Sequence, residues 1–239
     1  MKYLKQMIPL QRAEEILRQH IQEKKPFSLI RINDGETRAI GYNIFINTKQ
    51  LPGWYRYTGV DTPTEAVRGA LIRAIKEADL VGLPTRSAAP FRPLAEKILT
   101  KYQLRPKLIC NTNINRWLYH HDGLARLVKG QRLLLLGKTI RKVIPAFRAM
   151  GAKVVAAETV NGFADIQRVL QYVRTCPDFD LALVSAGIPA KPICTSIRRF
   201  YGKVAIDLGH VPEMMLYPGL RYGEIIRKWL KEHPAAKSS

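Results

Sequence analysis

FSLIRINDGE, residues 27–36, joins four strand-forming residues to Asn33-Asp34-Gly35-Glu36, a run suited to opening a helix. A short apolar run that ends in such a turn predicts one strand-to-helix unit, with Phe27–Ile32 as the strand. Asn33 suits an N-cap, and Glu36 three residues later suits the closing side of a capping box. The same carboxylates allow a second reading. Asp34 and Glu36, at i and i+2 on a tight turn, can converge on one hard divalent cation that shares phosphate oxygens with a substrate. Spacing alone leaves both readings open.

The unit recurs outward from this stretch. Leu10, Ala13, Ile16, Leu17 and Ile21 stand at helical spacing over residues 9–24. Thr62-Pro63-Thr64-Glu65 reads as a helix start with Thr62 as N-cap, and the helix runs to Glu77 before a strand over 78–83. A helix near 91–102 and a strand at 107–111 follow. Next come a strand at 132–136, a helix at 139–150 stopped by Gly151, a strand at 153–157 and a helix at 163–174. A strand at 181–185, a helix at 190–200, a strand at 203–208 and a helix at 221–232 complete the series. Apolar strands alternating with amphipathic helices predict an α/β fold: one Rossmann-like domain over residues 1–234, its sheet mostly parallel with helices on both faces. Gly41–Asp61, with Trp54, Tyr55 and Tyr57, reads as an excursion over the sheet, and Ala235–Ser239 as a disordered tail.

Composition narrows the function. The 239 residues hold 46% hydrophobic residues, enough for a proper core. The longest apolar runs, Leu133–Leu136 and Leu181–Val184, are far below the ~20 residues of a membrane span. A soluble cytoplasmic protein is expected. Cys110, Cys176 and Cys194 lie far apart with no C-x-x-C pair, which argues against a disulfide framework or a zinc site. With 39 Lys and Arg against 19 Asp and Glu, the net charge is +20. That predicts an anionic partner: a phosphate-bearing substrate, an acidic membrane surface or a nucleic acid. The charge is dispersed rather than gathered into a tail or an aromatic-studded patch, so a specific nucleic acid is not expected.

In parallel sheets ligands bind beyond the carboxyl ends of the strands, so the residues there are the candidates. Gly137-Lys138-Thr139 is not a P-loop, because position 132 is arginine where that motif needs glycine. Lys138 can still offer its charge to a phosphate. Asn115 and Arg116, in NTNINRW at 111–117, suit hydroxyl and phosphate contacts. Ser185 and Gly187 form a small-residue turn, and Asp207 and His210 close the last strand as a carboxylate and an imidazole three residues apart. No G-x-G-x-x-G follows a strand, which argues against a dinucleotide cofactor.

FSLIRINDGE at 27–36, ADLVGLP at 78–84, NTNINRW at 111–117, LVSAGIPAK at 183–191 and AIDLGH at 205–210 together resemble the GT-D-type glycosyltransferases (domain of unknown function 1792) of Gram-positive bacteria. The likeness spans roughly residues 10 to 215. It implies a Rossmann-like domain whose D-x-E motif holds Mn²⁺ or Mg²⁺ against a nucleotide-sugar diphosphate. Carried over, Asp34 and Glu36 are the metal residues, Arg31 the basic residue before them, and Arg116 the arginine of the third segment. Asp207 and His210 match the family's D-x-G-H. Asn33 departs from it, standing where the family has the first glycine of Gly-Asp-Gly-Glu.

The resemblance implies sugar transfer from a nucleotide-diphosphate sugar, such as a UDP-sugar, to a hydroxyl of a glycan or glycoprotein acceptor. Arg31, Asn115, Arg116, Lys138, Ser185 and Gly187 are then expected to bind substrate, and Asp207 or His210 to take the acceptor proton. The basic charge adds the expectation of an anionic acceptor or of contact with the acidic inner face of the membrane. Two alternatives stand beside this: a scaffold that binds nucleotide sugar without turning it over, and a basic nucleic-acid-binding domain.

Overall fold

A computed structural model describes residues 3–85 and 91–232. The strands are β1 (Phe27–Arg31), β2 (Leu80–Leu83), β3 (Leu108–Asn111), β4 (Arg132–Gly137), β5 (Lys153–Glu158), β6 (Leu181–Ser185) and β7 (Val204–Asp207). They form one sheet in the order β3-β2-β1-β7-β6-β4-β5, and every pairing among the described residues is parallel. The helices are α1 (Leu10–Gln22), α2 (Asp34–Gly41), α3 (Glu65–Glu77), α4 (Phe91–Lys101), α5 (Ile114–His120), α6 (Gly123–Val128), α7 (Ile144–Ala149), α8 (Ile166–Thr175), α9 (Ala190–Tyr201), α10 (Val211–Leu216) and α11 (Tyr222–Glu232). The expected α/β fold with helices on both faces is what the chain adopts.

Alternation along the strands feeds two cores. Ile30, Val81, Leu134, Leu136 and Val184 face α2, α3, α4, α8 and α9. Leu29, Leu133, Leu135, Leu183 and Ile206 face α1, α5, α6, α7 and α10. Strands buried on both faces read as unbroken apolar runs, which is why Leu133–Leu136 is entirely leucine and fully buried. Truncating any one of them to alanine is expected to cost about 2–5 kcal/mol.

Some local expectations need correction. Thr64, not Thr62, caps α3: its backbone is extended and its hydroxyl accepts from the Val67 N–H at 3.3 Å. Thr62 precedes a proline, which disfavours helical backbone there. The helix expected over 139–150 divides into a 3-10 turn, Ile140–Val143, and α7, with Pro145 in the first turn of α7. Likewise a 3-10 turn, Phe163–Asp165, precedes α8. The excursion after α2 carries two 3-10 turns, Thr48–Gln50 and Gly53–Thr58. The expected tail at 235–239 lies outside the described residues.

Two directions of winding meet at β1 and β7. From β1 the chain steps outward through β2 to β3, then crosses to build β4 to β6 on the other side and returns to β7 beside β1. Such a reversal opens a crevice at the strands' carboxyl ends. Asp34 follows β1 there, and His210 follows β7.

Candidate functional site

The turn after β1 answers the question that its carboxylates raise. Asn33 is extended (φ −132°, ψ −151°) and needs no glycine, so its departure from the family's Gly-Asp-Gly-Glu strains nothing. Asn33 and Glu36 form the capping box of α2, with Glu36 Oε2 accepting from the Asn33 N–H at 2.9 Å. Glu36 Oε1 pairs with the ammonium of Lys191 at 2.5 Å. Both of its oxygens are therefore engaged within the protein.

Lys191 is 2% exposed, and its Nζ also reaches Asp207 Oδ2 and the Gly187 carbonyl, each at 3.0 Å. An ammonium has three protons, and these three acceptors use them all. Burial penalises its charge, but the Asp207 and Glu36 carboxylates outweigh that and raise its pKa above the ordinary lysine value. Asp207 is fully buried. Its Oδ2 also accepts from the Arg31 N–H at 3.2 Å, and its Oδ1 from the Gly209 N–H at 3.0 Å. Burial pushes its carboxyl up, yet the Arg31 and Lys191 charges prevail and hold it below the usual value. With no exposed surface and both oxygens bonded to Lys191, the Arg31 N–H and the Gly209 N–H, this carboxylate is a counterion enclosed beneath the cleft, out of reach of a substrate hydroxyl. The expectation that Asp207 is a base is corrected accordingly.

Arg31, Asn115 and Ser185 bind the strand ends to one another. The Arg31 guanidinium donates to Asp207 O at 3.3 Å, Thr112 O at 3.3 Å and Asn115 Oδ1 at 3.0 Å. Asn115 is 1% exposed and donates to Leu208 O at 2.9 Å, while Ser185 Oγ donates to Gly209 O at 2.6 Å. Asn115 and Ser185 thus brace the scaffold, while each also borders a cleft at the strand ends. Gly209 (φ +55°) lies so close to Arg31 that a Cβ would stand 1.9 Å from its Nη2. Gly187 (φ +61°) lets the Thr58 carbonyl approach, where a Cβ would meet it at 2.2 Å. It serves close backbone packing of the excursion.

The cleft above this network is lined by Asp34, Asn113, Arg116, Tyr57 and His210, with Arg31 and Lys191 in its floor. Asp34 is partly buried. Burial first, and Glu36 second, raise its carboxyl above the ordinary value. A desolvated carboxylate beside another one is stabilised by a cation, so Asp34 fits a hard divalent ion that keeps waters and shares phosphate oxygens. Glu36 does not fit, because Lys191 already holds it, and among the described residues no three His, Cys, Asp or Glu gather as a metal set. His210 stacks on Tyr57 with ring centroids 4.7 Å apart. Burial, then Arg31, Arg116 and Lys191, push its pKa down to about 3, so its ring is neutral at physiological pH.

Lys138 is not in this cleft. It lines an adjoining one with Arg56, Ser185, Glu213 and Trp229, and Tyr57, Gly187 and His210 separate the two. Its ammonium sits 4.7 Å from the Trp229 ring centroid. A roomier groove between α3, α8 and α9, lined by Arg73, Phe163 and Gln167, shares no lining residue with either cleft.

A family described as the GT-D fold-like domain matches residues 10–215. The chain belongs to the GT-D-like family. Solved structures agree on its fold. One described as the highly conserved domain of unknown function 1792, with a distinct glycosyltransferase fold, aligns at TM-score 0.61 and 18% identity over 90% of this chain and 83% of that one. Another, described as a new glycosyltransferase (DUF1792) from Streptococcus sanguinis, aligns at 0.61 and 18% over 88% and 84%. A search of curated proteins found no match. No helix among the described residues of this GT-D-like chain is long and apolar enough to cross a membrane.

Sequence reasoning missed two residues of the GT-D-like site. Lys191 closes the quoted segment LVSAGIPAK, and a lysine in the apolar first turn of α9 was the available signal. Glu213, in the short helix α10, is 8% exposed and carried no signal beyond its place three residues after His210.

Proposed function

We propose that this GT-D-like protein is a glycosyltransferase that moves a sugar from a nucleotide-diphosphate sugar, such as a UDP-sugar, to a hydroxyl of a glycan or glycoprotein acceptor. The observation that carries this reading is the convergence of Asp34, Arg116 and His210 in one cleft at the β1–β7 reversal, over a buried network of Arg31, Lys191 and Asp207. Arg116 offers a planar fork of donors to the donor diphosphate, and Arg31 adds positive potential from the floor. Mn²⁺ or Mg²⁺ on Asp34 would neutralise charge on the departing diphosphate. Glu36 positions the turn and secures Lys191. His210, as a neutral imidazole, is able to accept the proton of the attacking hydroxyl.

A diphosphate bound among Arg31, Arg116 and Lys191 would offset the charges that depress His210 and raise its basicity when the donor is in place. The adjoining cleft, with Trp229, Lys138 and Arg56, suits an acceptor that carries both a sugar ring and negative charge. The +20 net charge supports contact with an anionic acceptor or the acidic membrane surface, and no sequence-specific nucleic acid.

The test is a thermal-shift screen of UDP-, GDP- and dTDP-sugars with and without Mn²⁺, followed by an assay of sugar transfer. A donor that binds the native state raises the midpoint by mass action. Donor binding with transfer supports the reading. Donor binding without transfer to any acceptor indicates a non-catalytic scaffold, and no response to any nucleotide sugar overturns both.

A further inference from the structure

Glu213 presents a buried carboxylate with one oxygen satisfied and one not. Its Oε1 accepts from the Thr139 hydroxyl at 2.7 Å. Its Oε2 is shielded from solvent and accepts no hydrogen bond. A buried acceptor without a donor is costly, and an ionised one more so, so the arrangement calls for a partner that arrives during function. The ion-pairing atom beside that oxygen is His210 Nδ1, at 3.9 Å. The ring lies between the two clefts, stacked on Tyr57, and Tyr57 in turn meets Trp229 edge-on at 4.9 Å.

On the glycosyltransferase reading above, we infer that Glu213 is the positioning residue of a His210–Glu213 dyad. Glu213 holds the proton on Nδ1, so that Nε2 faces the acceptor hydroxyl as the base. In the transfer step Nε2 takes the hydroxyl proton and the acceptor oxygen bonds to the anomeric carbon. The bond from that carbon to the β-phosphate oxygen breaks, and its electron pair leaves on the nucleoside diphosphate. The imidazolium formed is stabilised by Glu213 as the 3.9 Å separation closes to a charge-assisted hydrogen bond. Burial raises the Glu213 carboxyl above its ordinary value, opposed by the Thr139 hydrogen bond.

Two measurements test the dyad. Long-range ¹H–¹⁵N NMR of the full chain without substrate should show His210 protonated on Nδ1, and Glu213→Gln should change that tautomer balance while keeping the thermal midpoint close to wild type. An Nε2-protonated ring in the wild type, or a balance unmoved by Glu213→Gln, overturns the inference. Kinetics with UDP-glucose, or whichever donor of the screen is turned over, form the second. Glu213→Gln should lower kcat on the order of 10²-fold with the donor KM unchanged. Glu213→Asp should recover part of that loss, and Glu213→Gln combined with His210→Ala should be no slower than His210→Ala alone, as for residues that act as a unit. Multiplying losses, or a wild-type rate for Glu213→Gln, would assign Glu213 no part in the dyad. A wild-type chain that turns over none of the donors overturns the glycosyltransferase reading and the catalytic role of the dyad with it, whatever the tautomer.

Discussion

Lys191 and Glu36, 155 positions apart in the chain, form a buried ion pair at 2.5 Å that takes one carboxylate away from the cation site its motif suggests. Asp207 completes the pair as a triad at 3.0 Å from the same ammonium. Removing one partner of a buried charge group leaves the others uncompensated, which dominates the energetics. Lys191→Met strands Glu36 and leaves Asp207 to Arg31 alone, and should lower unfolding free energy by about 3–5 kcal/mol, read from urea denaturation midpoints at unchanged m-value. A loss below about 1 kcal/mol would show that the carboxylates find other partners.

The two carboxylates of the D-x-E turn should separate by experiment. Asp34→Asn should nearly abolish sugar transfer and the midpoint shift produced by Mn²⁺ with donor, while the fold stays intact. Glu36→Gln should act mainly on stability, since it weakens the capping box and the hold on Lys191. Equal loss of the metal response in both variants would restore Glu36 to the cation site.

Acid should weaken the triad and mild base should not. Asp207 has a folded pKa below its unfolded value of about 3.9, so its contribution is present above that pH and lost as pH falls through the lower folded value. Lys191 is raised, so its contribution is present below the unfolded value of about 10.4 and lost only above the higher folded one. The stability difference between wild type and Asp207→Asn should therefore be flat from about pH 5 to 9 and shrink below about pH 4. A difference that changes near neutrality would point to another titrating group.

The +20 charge should produce weak and indiscriminate attraction to nucleic acid. Binding to duplex DNA or single-stranded RNA, measured by fluorescence anisotropy, should fall steeply with salt and show no sequence preference. A tight sequence-dependent complex at physiological salt would reinstate the nucleic-acid reading.

The strands and helices were legible because hydrophobic periodicity is a local property: Leu133–Leu136 announces a doubly buried strand, and Leu10 to Ile21 an amphipathic helix, without reference to anything distant. Parallel topology then implied that Asp34, Arg116 and His210 share one rim, since each follows a strand at its carboxyl end. What each polar group does there depends on partners far along the chain. Asn115 was readable as a substrate amide, yet Arg31 and Leu208, 84 and 93 positions away, occupy it. Asp207 was readable as a base until Lys191 and the Arg31 backbone surrounded it. Residue type and spacing determined which groups reach the strand ends. Only the tertiary structure decided which carry an ion pair and which are left facing a cleft, because burial and hydrogen-bond saturation are set by distances that sequence separation does not encode.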